Sequence, residues 1–472
     1  MEAESKESPA VADIARDVWA LVHPDGGALA HLGFTTSAPS LPSIFRVDAA
    51  AAASIGVTAL AAAEVWRERT GRQQTVSVDS ADAALAYRSE RYLQLNGQPV
   101  EHPRPAQSYF KDRDGRWMQL HMVYPHHRAG ILAALGVADV SGENERDAVT
   151  AAVAARDAVE LETELAALGL PAYAERSHEE WSAAGQAAAL AALPLIELER
   201  IGDAPPLRLA PDASRILDGI RVMDLTRVIA GPVCGRTLAA HGADVMRIHP
   251  PHLTEVAGLL MDGGRGKRCT NLNLRETADR LAFERLLADA QVFVQGFRPG
   301  GLEELGYGPA ALAERVPGLV YVSLSAWSHT GPWAGRHGFD SLVQTASGIT
   351  RAGAVAASSD SPRPLPCQVL DHSTGYLAAF GAMCALARQM REGGSWLVRL
   401  SLAQTGHWFD RLGRVDGLDI PEPDEARIAS RLRPMASPFG ELRASLPVAR
   451  FSETEPGWAR PPVPLGHDVP FW

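Results

Sequence analysis

At 472 residues the chain is too long for one typical domain and suits two or three. Its 46% hydrophobic and 21% charged content fits a globular protein with a sizeable core, and its formal charge of −11 excludes a nucleic-acid surface, which needs clustered Lys and Arg. Any anion site must therefore be local. Lys occurs only at 6, 111 and 267, so Arg supplies 42 of the 45 basic residues; with the abundance of Ala, this reflects base composition rather than function. Four cysteines (234, 269, 367, 384) form no C-x-x-C pair, which suits a reducing compartment and small core residues. Met1 to Asp17 has no apolar core, so no signal peptide is expected. The longest uncharged apolar run, Ala49 to Ala63, falls short of the roughly 20 residues of a membrane span. The expected location is the cytoplasm, with no membrane partner.

The first thirty-five residues show little beyond a possible amphipathic helix. Asp48 to Arg69 is rich in Ala, the best helix former, and Thr70-Gly71 stops it before the alternating QTVSVDS. SYFKDRDGRWMQLHM (108–122) reads as two short strands around Asp114-Gly115. Helices are predicted at 127–136, 144–168 and 178–191, and Pro205-Pro206 opens a linker that runs toward Asp218. Four short apolar runs then appear at 221–225, 243–248, 290–297 and 318–326, with helical stretches between them. That alternation means βαβ units and an α/β fold with a doubly wound, Rossmann-like parallel sheet, beside a smaller α+β region. A second long helix from His372 to Gln389 precedes a strand at 396–402.

The last pair repeats the first half. SLPSIFRVD…RTGRQQTVSV and PLPCQVLD…REGGSWLVRL each carry Leu-Pro, an Asp, an apolar helix, a Gly stop and a strand. Aligned on Gly71 and Gly393, they share Arg69/Arg391, Val76/Val398 and Ala81/Ala403, and Ala49 rather than Asp48 lies opposite Asp371.

No G-x-G-x-x-G follows the first strand of the sheet, and Walker A, H-E-x-x-H and G-x-S-x-G are missing from the sequence. That strand leads instead into DLTRVIAGPVCGRTLAAHGADVMRIHPP (224–251). It is succeeded by GKRCTNLNL (266–274), ADAQVFVQGFRPGGLEELGYG (288–308), PGLVYVSLSAWSHTGP (317–332), GFDSLVQTASGI (338–349) and LPCQVLDHSTGYLAAFGAMCAL (365–386). In order and spacing these six pieces resemble the class III CoA-transferases, the CaiB/BaiF-type family of formyl-CoA and carnitine CoA-transferases, to which α-methylacyl-CoA racemase is related. The first half is similar to the part of that family from the catalytic acid onward, so the chain looks like a fusion of two incomplete units. The expected divisions are 1–35 unassigned, 36–204 a partial unit, 205–217 a linker, 218–410 the sheet domain with the catalytic Asp, and 411–472 a C-terminal extension.

The resemblance implies that Asp371 is the nucleophile that accepts acyl groups from a thioester. An Asp of ordinary pKa, roughly 3.9, is ionised at neutral pH and needs no general base. Standing before a predicted helix, Asp371 also reads as an N-cap. Asp340 falls where the family often has a second acid, and His337 is a possible substrate contact. By the same resemblance Arg247, Lys267 and Arg268 would hold CoA phosphates, Arg227, Ala230 and Gly231 would lie along the pantetheine arm, and Gly296, Phe297 and Arg298 would touch CoA. Glu304 departs from the Arg of some members. The implied partners are an acyl-CoA and a carboxylic acid; CoA is a substrate, no metal, nicotinamide or flavin is implied, and a homodimer is expected. A racemase would carry His where Phe339 stands, and Phe cannot move a proton. A CoA-binding scaffold without catalysis is the other alternative.

Overall fold

The computed structural model describes residues 9–23, 25–101, 108–138 and 142–472. Residues 1–8, part of the stretch read as carrying no leader, lie outside it.

Seven strands form the main sheet, in the order Lys267–Asn271, Asp244–His249, Arg221–Leu225, Val292–Gln295, Val320–Ser325, Ser395–Ser401 and Glu197–Gly202. The first six run parallel and the last is antiparallel to Ser395–Ser401. The central parallel strands, Arg221–Leu225, Val292–Gln295 and Val320–Ser325, are mostly apolar and buried, as expected where helices cover both faces. This is the doubly wound α/β architecture expected from the sequence.

The first half builds a smaller version of the same corner. Leu32–Thr35 pairs in parallel with Val76–Asp79, and Arg450–Phe451 adds an antiparallel edge beyond it. The helix between the two parallel strands, Val47–Thr70, lies against Val369–Glu392 of the main unit, and Ala residues let the backbones approach closely. Thr58 Oγ1 donates to the Tyr376 carbonyl at 2.8 Å, and Tyr87 Oη joins Ser54 Oγ to Ser373 Oγ through buried hydrogen bonds. Although Val47–Thr70 is long and apolar enough to span a bilayer, 94% of its most apolar window is buried, as in a core helix.

Before this corner, Val11–Ala20 buries Val11, Ile14, Ala15, Val18 and Trp19, the spacing of an amphipathic helix. The hairpin Tyr109–Lys111 with Trp117–Leu120 forms where Asp-Gly predicted it, and Ala172–Ala174 adds a third strand. The helix expected over 144–168 is two helices, Glu143–Ala154 and Ala158–Ala167, because Asp157 caps the second by accepting the N–H groups of Val159 and Glu160. Residues 432–437 and 440–445 form another hairpin, and the chain end returns to the main sheet, where the Asp468 carboxylate accepts the Cys269 N–H. The four cysteines are buried and unpaired with one another.

Candidate active site

A cavity of about 330 Å³ opens beyond the C-terminal ends of the central strands, where doubly wound sheets hold ligands. Leu225, the turn Thr226 to Gly231, Gly296 to Pro299 and Leu324 to Ala326 form its floor and sides. Asp371 is the sole carboxylate among the lining residues, facing three arginines (227, 298, 336) and three histidines (126, 127, 337).

The turn is built by an internal ion pair. Asp224, fully buried at the end of its strand, accepts the Thr226 N–H at 3.0 Å and the Lys267 ammonium at 2.6 Å. Lys267 also donates to the Pro232 carbonyl at 2.9 Å. Val228 is held at φ 70°, a strained conformation for a β-branched residue, where the chain bends toward the cavity. Gly231 is required by the turn itself: a Cβ there would come within 2.2 Å of the Thr226 side chain. The helix Ala230–Ala240 then begins with its first N–H directed at Asp371.

Asp371 does not cap its helix. The N-cap is Gln368, and Asp371 is the third helical residue. Its own N–H donates to Asp340 Oδ2 at 2.9 Å, and the Leu370 N–H also serves Asp340, so the first-turn donors are engaged by that acid. The Ala230 N–H, from another helix, faces the Asp371 carboxylate. Nor is Asp371 an ordinary carboxylate: burial first, then the charges of Asp340 and Glu90, raise its pKa well above the usual range. Burial also raises Asp340, against hydrogen bonds from the Asp371 and Leu370 N–H groups and Gln344. Asp340 contacts the Asp371 backbone and lies outside the cavity lining. Next in sequence, His372 is fully buried and pairs with Glu90 of the first half at 3.1 Å.

The basic residues divide. Arg227, Arg298 and His337 line the cavity with Ala230, Gly231, Gly296 and Phe297. Arg247, Lys267 and Arg268 do not. Arg247 is buried against Glu255 at 3.1 Å, Lys267 is committed to Asp224, and Arg268 reaches Asp244 and the Phe471 carbonyl. The positive charge that stands out in this stretch of sequence is thus largely neutralised within the fold. Arg227 shares Glu255, and Arg336 pairs with Glu162 at 3.1 Å. Arg298 donates only to the Gly335 carbonyl, at 3.2 Å, and no carboxylate pairs with it among the described residues. Burial pushes His127 down to about 3 and His337 down to about 4, so both rings are neutral at pH 7.

The remaining wall comes from the first half. Tyr124, His126 and His127, just past the Tyr109–Leu120 hairpin, line the same cavity as Asp371. His121 stacks on Phe339 with ring centroids 3.8 Å apart. Sequence reasoning marked the hairpin but not these residues; the signal was the aromatic and His-rich run HMVYPHH directly after it. Elsewhere, Asp112, Asp114 and Asp157 approach one another, but Asp112 and Asp157 accept backbone N–H groups that shape turns and a helix start.

The sequence profile of CoA-transferase family III matches residues 10–211 and, a second time, 217–412. A probable fatty acyl-CoA transferase of Mycobacterium tuberculosis, Rv3272, is 30% identical over 234 residues, covering 46% of this chain and 59% of the relative. The succinyl-CoA–D-citramalate CoA-transferase of Chloroflexus aurantiacus is 29% identical over 229 residues, 43% of this chain and 56% of that protein. The chain spans about half the length of the curated relatives it matches. A crystal structure of Rv3272 aligns with 42% of this chain and 57% of its own, at 30% identity and a TM-score of 0.39. With both halves matched by one profile, the chain belongs to CoA-transferase family III.

Proposed function

We propose that the protein transfers CoA from an acyl-CoA to a free carboxylic acid through Asp371. The observation that carries this reading is a single carboxylate, Asp371, in a cavity whose other lining side chains are apolar, Arg, His or neutral hydroxyl groups. Relatives named as CoA-transferases support it.

In this reading an Asp371 carboxylate oxygen attacks the thioester carbonyl carbon. The C–S bond breaks and the CoA thiolate leaves with the electron pair. The thiolate then attacks Cγ of the resulting mixed anhydride, which frees the first acid as a carboxylate and leaves an aspartyl-CoA thioester. An incoming carboxylate attacks that Cγ, the thiolate returns to the new acyl carbon, and Asp371 is released. No net proton is consumed, which suits a site whose histidines are neutral. The Ala230 N–H stabilises charge at Asp371, as a helix N-terminus does. Arg298, the lining cation with no acid to pair it among the described residues, is assigned to a phosphate or carboxylate of the substrates. Arg227, Ala230, Gly231, Gly296, Phe297 and His337 line the path of the CoA arm.

The proposal includes a cytoplasmic location and the homodimer expected from the family resemblance. Mass spectrometry on mixtures of acyl-CoA and carboxylate pairs tests the reaction. New acyl-CoA from at least one pair, with an Asp371-containing peptide trapped by hydroxylamine, is the expected result. Exchange that persists at a near-normal rate in Asp371→Asn would falsify the assignment.

A further inference from the structure

Tyr124 ends a loop and caps the helix Pro125–Leu135, with Pro125 in the first helical position. Its carbonyl accepts the Arg128 N–H at 2.9 Å, so the backbone that aims the side chain is fixed. The ring is 4% exposed and boxed by His121, His127 and Phe339, with centroids about 6 Å away, while the Arg227 guanidinium lies 5.1 Å from its centre. Its hydroxyl is buried and has no hydrogen-bond partner among the described residues. A phenol so placed is costly to leave unsatisfied, and the space it shares with Asp371 is the cavity.

Resting on the CoA-transfer reading, we propose that Tyr124 Oη donates a hydrogen bond to the acyl carbonyl oxygen of the thioester as it becomes an oxyanion under attack by Asp371. The bond is already made, weakly, to the carbonyl of the bound thioester and strengthens as that oxygen takes up charge; no proton is transferred. The hydroxyl keeps its proton at neutral pH because burial, and after it Glu255, raise its pKa; Arg227 opposes them, and Asp371 adds a smaller upward push. The Arg227 charge over the ring draws electron density from it and strengthens the donor. With the Ala230 N–H on the nucleophile's side, the adduct is held from both halves of the chain: the sheet unit supplies the acid and the first half supplies the donor.

Tyr124→Phe keeps the ring and its neighbours and removes only the donor. The expected result is a fall in kcat of about 10²- to 10³-fold with KM for acyl-CoA within threefold and an unchanged melting temperature. A purely structural role for the ring predicts no such split. The second readout is the infrared carbonyl band of a ¹³C-labelled acyl-CoA bound to Asp371→Asn, which does not turn over. That band should lie below its position in water, and the shift should shrink when Tyr124→Phe is added. A Tyr124→Phe enzyme with normal kcat, or a band unmoved by the second substitution, overturns the proposal. A dead Asp371→Asn beside a normal Tyr124→Phe sinks this inference alone. An active Asp371→Asn sinks the transfer mechanism and this inference with it.

Discussion

The two long helices invite comparison because they are so nearly the same object. Each is 24 residues, Val47–Thr70 and Val369–Glu392, and each ends at a glycine of positive φ, Gly71 at 73° and Gly393 at 70°. Each comes after a strand, runs into a parallel neighbour of that strand, and has an antiparallel strand beyond. Third in the first helix stands Ala49; third in the second stands Asp371. The preceding strands differ as well: the second helix meets the turn at Ala230 and the cavity beyond the main sheet, while the first has only Leu32–Thr35 before it. Two copies of a scaffold thus border one cavity, the second giving its one lining carboxylate, Asp371, and the first half giving the wall of Tyr124, His126 and His127. Symmetry of fold does not require symmetry of chemistry.

The largest expected effect breaks the comparison at its third position. Asp371→Asn should lower transfer by at least about 10³-fold, since an amide lacks the anionic nucleophile, while acyl-CoA still binds. Ala49→Asp in an Asp371→Ala background should restore nothing, because Ala49 is absent from the lining of the cavity. Activity rescued by that second change would mean that the two ends are interchangeable after all.

Next in size is a contrast between two cations read alike from the sequence. Lys267→Ala leaves Asp224 charged, buried and unpaired, so unfolding free energy should fall by about 3–5 kcal/mol, seen in urea titration. Arg298→Ala breaks no ion pair and should leave stability nearly unchanged while weakening acyl-CoA binding about tenfold, measured by calorimetry. If dephospho-CoA loses as much affinity as CoA, Arg298 does not touch the 3′-phosphate. Equal stability losses in both variants would undo the division between scaffold and site.

That division shows where the sequence was readable. The parallel sheet, the hairpin at Asp114-Gly115 and the gapless register of Gly71 with Gly393 come from local pattern, because periodicity and turn chemistry act over a few residues. The cavity position of Gly296 to Arg298 comes from strand polarity. Pairing is different. Lys267 meets Asp224 across 43 residues and Arg247 meets Glu255 across a folded turn, and no local pattern reports either contact. The place of Tyr124 in the same cavity as Asp371 depends on how two halves dock, which periodicity does not encode.

A smaller effect should appear in pH dependence. The carboxyl of Asp371 is raised by burial and by Asp340, so its ionised form is gained at a pH above the usual carboxylate range. The transfer rate should therefore fall on its acid limb as pH drops through that raised value. Asp340→Asn removes a like charge, which lowers the Asp371 pKa and moves the limb toward lower pH; the amide oxygen can still accept the Asp371 N–H. The kcat/KM profile checks the sign. A limb that moves upward, or does not move, would show that Asp340 governs Asp371 through geometry rather than charge.

The smallest effect belongs to Asp48, the acid that a one-residue shift would set opposite Asp371. Its Oδ1 accepts the Ser40 N–H at 2.8 Å, a local bond that steadies the entry to the first helix. Burial raises its pKa against that hydrogen bond, and none of the cavity lining includes it. Asp48→Asn keeps an oxygen for Ser40 and should leave transfer within about twofold and stability nearly intact, whereas Asp48→Ala should cost about 1 kcal/mol for the lost acceptor. Both should leave trapping on the Asp371 peptide unchanged. If Asp48→Asn removes trapping while the protein stays folded, the first helix carries chemistry as well as the second, and the asymmetry between Ala49 and Asp371 is not the one that matters.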